Sequence, residues 1–227
     1  LANVGTIWAN VLLLADKDYE GGFSPDQINI AIPEAERELW SELSDMMQLS
    51  QGINNIDNRF YESTTINASI MDTFKVINTY QIAGNGKLTK PADLRYISSV
   101  RHTVYFPGSD PKEVRVYPIT DGQLSARLNS SVVPPTKEYP VIAEYDTYYQ
   151  FYPKNLGSVT LTYLRLPIPA VFGYTLVNGD YVYDPLTSTD SEFPDECINA
   201  LSVKVANKLG IQLKDQALVN NIKAPTI

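Results

Sequence analysis

Val141-Ile142-Ala143-Glu144-Tyr145-Asp146-Thr147-Tyr148-Tyr149-Gln150-Phe151-Tyr152 decides the fold. β-Branched, aromatic and other apolar residues dominate it, and Asp146 breaks it once. It reads as two short strands, Val141 to Tyr145 and Tyr148 to Tyr152. The same character runs from Leu88 to Tyr183. Strands are predicted at Tyr96 to Tyr105, Glu113 to Tyr117, Leu124 to Leu128 and Ser158 to Leu164. Another, Tyr181 to Tyr183, follows the turn Asn178-Gly179-Asp180. Eleven of the 15 prolines lie between Pro91 and Pro185. Proline belongs on strand edges and in turns, so this is a compact β unit with many short connections. Gly84-Asn85-Gly86 has the chemistry of a hairpin turn. The stretch before it, Ile66 to Ile82, fits both periods and is read as strand.

On either side the period changes to that of a helix. Val4, Ile7, Trp8, Val11, Leu12 and Ala15 share one helical face. A second helix is announced by Ser24 as cap, Pro25 at the first position and Gln27 closing a capping box. Phe23 and Ile28 take the staple positions. Its stripe continues through Ala31, Ala35, Leu39 and Leu43, with Pro33 as an expected kink or break. Residues 49–66, rich in Asn, Gln, Ser and Thr, read as a polar arm. Near the other end, acids around Pro194 precede a stripe of Ile198, Leu201, Val205 and Leu209, and Gly210 is a stop signal. A shorter helix is expected over 214–221, with Ile222 beside it. The fold class is therefore α+β. A helical domain is formed by both chain ends, 1–66 plus 186–227, with a large antiparallel β-rich insertion at 67–185.

Composition narrows the function. Of 227 residues, 44% are apolar and 19% charged, enough apolar mass for a folded core. Eighteen Lys and Arg stand against 26 Asp and Glu, a net charge of −8. That argues against a sequence-independent nucleic-acid binder, whose affinity comes from clustered cations. The longest apolar run, Val11 to Ala15, falls far short of a membrane span, and no Lys or Arg precedes it as in a signal peptide. With Leu1 where an initiator Met would stand, a trimmed start is expected, so the missing leader carries little weight.

Catalytic and metal chemistry find few residues to use. The single Cys197 allows no intramolecular disulfide and no Cys-rich zinc site, and the single His102 allows no histidine metal centre. His102 sits in the alternating run Val100 to Val104 and reads as a strand-face histidine; Cys197 reads as a buried helix residue. Gly84-Asn85-Gly86-Lys87 lacks the remaining glycine and the Ser or Thr of a phosphate loop. Glu144 and Asp146 are spaced like paired carboxylates, but solvated strand acids are the commoner case. Asp184, Asp190, Glu192, Asp195 and Glu196 do not follow calcium-loop spacing. No catalytic, cofactor or metal residue is assigned. Tyrosine is the unusual component, 15 residues in all. Tyr139, Tyr145, Tyr148, Tyr149, Tyr152 and Tyr163 are close in sequence, and tyrosine suits protein interfaces and sugar-binding surfaces. These six, with Phe60 in the polar arm and Ile222 near the end, are the interface candidates.

The order of motifs resembles a family of phage virion proteins, the head-to-tail connector or ring proteins of short-tailed phages, especially the crAss-like phages and their relatives infecting Bacteroidota. Gly22-Phe23-Ser24-Pro25 with Asn29 and Ala35 resembles the family's opening helix. Lys90-Pro91-Ala92-Asp93-Leu94-Arg95-Tyr96 resembles its step into the β unit. Pro135-Thr136 with Pro140-Val141, Phe151-Tyr152-Pro153 and Tyr163-Leu164-Arg165-Leu166-Pro167 resemble its later turns. Glu192-Phe193-Pro194-Asp195-Glu196 with Leu209-Gly210-Ile211 resembles the terminal helix, with Phe193 where Trp is expected. The match runs in order over residues 20–222.

The resemblance implies a structural homo-oligomer: a ring of about twelve subunits docked beneath a portal protein and touching other tail or ring proteins. Packaged DNA would pass through without specific binding, and no membrane is involved. The protein would be assembled in the host cytoplasm and reside in the neck or tail region of the virion. An acidic wall suits such a passage because it repels phosphates. The other reading is a carbohydrate- or receptor-binding β module of a phage or bacterial surface protein.

Overall fold

The computed structural model describes residues 1–15, 23–52, 68–105, 108, 110–178 and 180–211, with 47–52 as backbone. It is a mixed α/β structure. Among the described residues are five α-helices: α1 (Val4–Leu14), α2 (Pro25–Gly52), α3 (68–72), α4 (Asp121–Leu128) and α5 (Ile198–Lys208). The strands are β1 (Lys75–Gln81), β2 (Lys87–Thr89), β3 (Leu94–Val104), β4 (Lys112–Arg115) and β5 (Tyr117–Ile119). They continue with β6 (Val141–Glu144), β7 (Tyr148–Tyr152), β8 (Ser158–Arg165), β9 (Tyr174–Val177) and β10 (Asp180–Tyr183). The chain divides into two compact units. Lys75–Leu166 forms one, and the residues up to Phe74 together with those from Pro167 onward form the other. Residues 67–74 and 167–185, expected in the β-rich part, thus belong with the terminal unit.

In the terminal unit, α5 packs against both α1 and α2. Val4, Ile7 and Val11 bury one face of α1, and Leu201, Val205 and Ala206 bury the matching face of α5. Each fully buried large side chain contributes about 1.5–3 kcal/mol. The α2 start is the expected capping box: the Ser24 N–H donates to Gln27 Oε1 at 3.0 Å, and the Gln27 N–H to Ser24 Oγ at 3.3 Å. Pro33 does not break α2, which runs through to Gly52. It removes only the one N–H that would reach the Asn29 carbonyl. Residues 49–52, expected in the polar arm, continue this helix, because each added residue gains a backbone bond once a helix exists. The rest of that arm, Phe60 included, and residues 214–222 lie outside the described residues. Gly210 ends α5 with φ +76°, and the Ile211 N–H reaches back to the Ala206 carbonyl at 3.0 Å. The ambiguous stretch before β1 contains both structures, the α3 turn with Ile70 and Met71 buried and then strand from Lys75.

The return of the chain at Pro167–Gly173 belongs to none of the multi-stranded sheets, yet its N–H groups are satisfied. The Ile168 N–H donates to Glu192 Oε2 (2.7 Å), Ala170 to Glu36 Oε2 (3.1 Å) and Phe172 to Asn29 Oδ1 (2.7 Å). Between them, Val171 forms a bridge with Thr189. The β9–β10 hairpin follows, its base fixed by Tyr183, whose ring packs on Phe172 at 5.4 Å.

The Lys75–Leu166 unit contains two four-stranded sheets, β1-β8-β3-β4 and β2-β7-β6-β5. Leu88, Val100, Ile142, Tyr149, Phe151, Leu161 and Tyr163 form one core drawn from both. Alternation puts Val141 and Ala143 on the opposite face of β6, against Leu124 of α4. Two expectations change here. Residues 124–128 are helical, because Thr120 and Gln123 form a capping box that starts a helix at Asp121. β5 pairs with β6 in parallel, Tyr117 opposite Val141, while the remaining strand pairs are antiparallel. A parallel neighbour needs a long crossover, and α4 with its following loop supplies it.

Lys204 bonds Glu38 at 2.9 Å and Glu42 at 2.7 Å, and Lys208 bonds Glu38 at 2.8 Å. The two ammonium groups hold the Glu38 carboxyl down to about 2, from an ordinary 4.5. Because the folded value is the lower one, this contribution is complete above pH 4.5 and is lost as pH falls toward 2. Glu38→Gln is expected to cost about 0.5–1 kcal/mol at pH 7, the range of a partly exposed pair. It should also flatten the acid limb of stability between those values, as followed by thermal unfolding across a pH series.

Candidate interaction surface

The six tyrosine candidates do not form one surface. Tyr149 and Tyr163 are each 1% exposed, on the inward faces of β7 and β8. Their expected place at an interface is corrected: strand alternation turns them into the core. The Tyr163 hydroxyl donates to Asp93 at 3.1 Å and lies 3.3 Å from that of Tyr80. Burial, then these two partners, pushes its phenol upward. Burial, with Glu144 adding, pushes Tyr149 to about 12. Tyr152, half-buried, packs with the Leu124 cluster beside α4. Tyr139 is 61% exposed and borders a cavity of about 640 Å³ with Tyr105, Val132 and Val133.

Tyr145 and Tyr148 do come together. Their rings stack with centroids 4.9 Å apart and planes 18° apart. Lys87 Nζ lies 4.1 Å over the Tyr148 ring, and the Tyr145 hydroxyl donates to Asp121 Oδ1 at 3.2 Å. The pair is half-buried, so it offers ring edges and a cation rather than a broad flat face.

The residues with catalytic or metal-binding side chains have structural partners. His102 is buried in β3, and its Nδ1–H donates to the Ser158 carbonyl at 2.8 Å. Cys197 is buried, and burial pushes its thiol to about 11, away from reactivity. Glu144 pairs with Lys90 at 2.7 Å. Asp190 accepts the Val4 N–H at the start of α1, Glu192 holds Ile168, and Asp184 caps Leu186 and Thr187. Among the described residues no three His, Cys, Asp or Glu side chains gather as metal ligands.

Three features were not anticipated. The first is β9, which pairs with the expected strand at Tyr181–Tyr183 in a β9–β10 hairpin whose strands, among the described residues, pair only with each other. Register places Leu176 opposite Tyr181 and Tyr174 opposite Tyr183 on one face, with Val177 and Val182 on the other. Leu176 is 65% exposed and Tyr181 53%. A two-stranded hairpin is marginal in water by itself, and this one leaves apolar groups on its surface.

The second is a fork between strands. β4 covers β3 only from Arg101 to Val104, and the Val116 N–H closes the fork on the Val100 carbonyl at 2.9 Å. Beyond it, β5 leaves for the other sheet, and a groove of about 900 Å³ opens between β5 and Leu94–Ser99.

The third is charge. Lys75–Leu166 holds 11 Lys and Arg against 7 Asp and Glu, a net +4. The rest of the chain holds 7 against 19, a net −12. Counting by segment rather than over the whole chain would have revealed it.

No protein-family model matches the chain, and no curated protein matches it significantly.

His102→Ala leaves the Ser158 carbonyl without its donor. It is expected to lower stability by about 1–3 kcal/mol in urea unfolding. Native mass spectrometry of the same variant should show its association state unchanged.

Proposed function

We propose that this protein is a structural subunit of a phage head-to-tail connector ring, joining portal and tail and surrounding the DNA passage. In this reading the terminal unit is the ring body and the β unit an insertion within it. The observation that carries the reading is the division of charge. A −12 unit and a +4 unit on one chain favour contact between unlike units of neighbouring copies over contact between like ones. A contact between two different patches is heterologous, and repeated around an axis it closes a ring. The kind of ring comes from the motif order: the Ser24-Pro25 helix start, the Pro91-Ala92-Asp93 step and the Pro194 to Gly210 helix. The acidic unit is then the one suited to face the DNA, since it repels phosphates and leaves the duplex free to slide.

A carbohydrate- or receptor-binding module is the second reading. Its support is the stacked Tyr145–Tyr148 pair with Lys87 above it. It requires glycan binding that Tyr148→Ala abolishes and that does not depend on the state of association.

Mass photometry of neck complexes released from gently disrupted virions separates the two. For the ring, the 25.3 kDa chain should appear in a portal-associated species to which it contributes about 300 kDa, the mass of a closed ring of about twelve copies. Raising salt should loosen contact between the free subunits, as screening acts on the complementary charges. Absence of the chain from the neck would discard the connector reading.

A further inference from the structure

We propose that the β9–β10 hairpin of one copy docks into the groove between β3 and β5 of a second copy, making the junction that repeats around the assembly. The proposal rests on the assembly reading above and names its contact. The groove is walled by strand edges. β3 pairs with β8 on one side, and over Ile97–Ser99 its other side faces no strand among the described residues. β5 is an outer strand of its own sheet. Unpaired strand edges present N–H and C=O groups in register for another strand, which is how extended segments are commonly bound. Apolar side chains of Ile97, Val100, Pro118, Ile119 and Ile142 line the space between them.

The hairpin supplies the complementary parts. It is extended, its outer edges pair with no strand among the described residues, and Leu176 and Tyr181 project side by side from one face. Charge selects this occupant over an unrelated peptide. Arg95 and Arg115 are exposed at the groove and make no ion pair among the described residues. Asp180 is exposed at the hairpin tip and belongs to the −12 unit. Hairpin and groove are different patches, so each copy gives one junction and receives one.

The test is a disulfide ladder in the full-length chain. Cys197 is buried, so thiols introduced by Leu176→Cys and Ile97→Cys are the reactive ones. The assembled protein is oxidised, either self-associated or within neck complexes, and run on a denaturing gel. The double variant should give a ladder beyond the dimer, and each single variant no more than a dimer. Arg95→Glu should weaken association about tenfold, and Asp180→Arg in the same chain should recover it. A mixture of a hairpin variant (Leu176→Ser with Tyr181→Ser) and a groove variant (Ile97→Lys) should stop at the dimer, because only one good junction remains. Matching circular dichroism and melting would show that these variants are folded. Assembly without a ladder, or without charge-swap recovery, overturns the docking proposal and leaves the ring standing. A DNA band shift abolished by Arg95→Glu, with no ladder, would assign the basic groove to nucleic acid and overturns it as well. A chain that forms no oligomer and is absent from necks sinks the ring reading along with it.

Discussion

Three side chains gripping one stretch of backbone hold the terminal unit together. Pro167–Gly173 joins no extended ladder, yet Ala170 and Phe172 are buried, and a buried N–H must find an acceptor. Glu192, Glu36 and Asn29 accept from alternate residues, as a neighbouring strand would. Asn29 and Glu36 are seven apart on α2, so one helical face aims both at the segment. The cost is a carboxyl that is 1% exposed. Burial raises Glu36 above the usual carboxylate range, against the pull of Ser191 and the Ala170 N–H, and nearby Glu192 adds to the rise. The grip in turn seats Phe172 against Trp8 at 5.8 Å and Tyr183, which anchors the hairpin that follows.

The two units use aromatic residues differently. In the β unit Tyr149, Phe151 and Tyr163 are core, and the Tyr163 hydroxyl is met by Asp93 and Tyr80. On the hairpin Tyr174 and Tyr181 meet edge to face at 5.2 Å and remain largely in water. The first arrangement fixes a fold. The second holds two large rings in a set orientation before any contact is made, which reduces the ordering cost of binding.

Much of the helical part was legible because its signals are local. The Ser24–Gln27 box, the i, i+3, i+4 stripes and Gly210 each act within a few residues, and each appears where the residues place it. The 124–128 error had a local cause too. Leu124, Ala126 and Leu128 alternate like a strand, but the capping pair three residues apart just before them outweighs so short a pattern. The tyrosine surface failed because closeness in sequence was taken for closeness on a face. On β7, Tyr148 and Tyr152 point away from the side that Tyr149 and Phe151 occupy. The groove was out of reach of any local pattern. It exists because β4 and β5, adjacent in sequence, join different sheets, and only the pairing partners of Val100 and Val141 reveal that.

The position of α5 has a consequence for how the protein is made. α1 and α2 leave the ribosome early, but the helix that covers them begins only at Ile198. At ordinary translation speeds the wait is on the order of ten seconds. The β unit is contiguous, so its core can close during that interval, ahead of the unit that encloses it in sequence. The hairpin at Tyr174–Tyr183 follows the β unit in sequence, and its base meets Phe172 and Asn3 at the start of α1. Under the proposed docking, nascent chains crowded on one messenger would carry finished grooves before finished hairpins, and linkage between them would wait for the later segment.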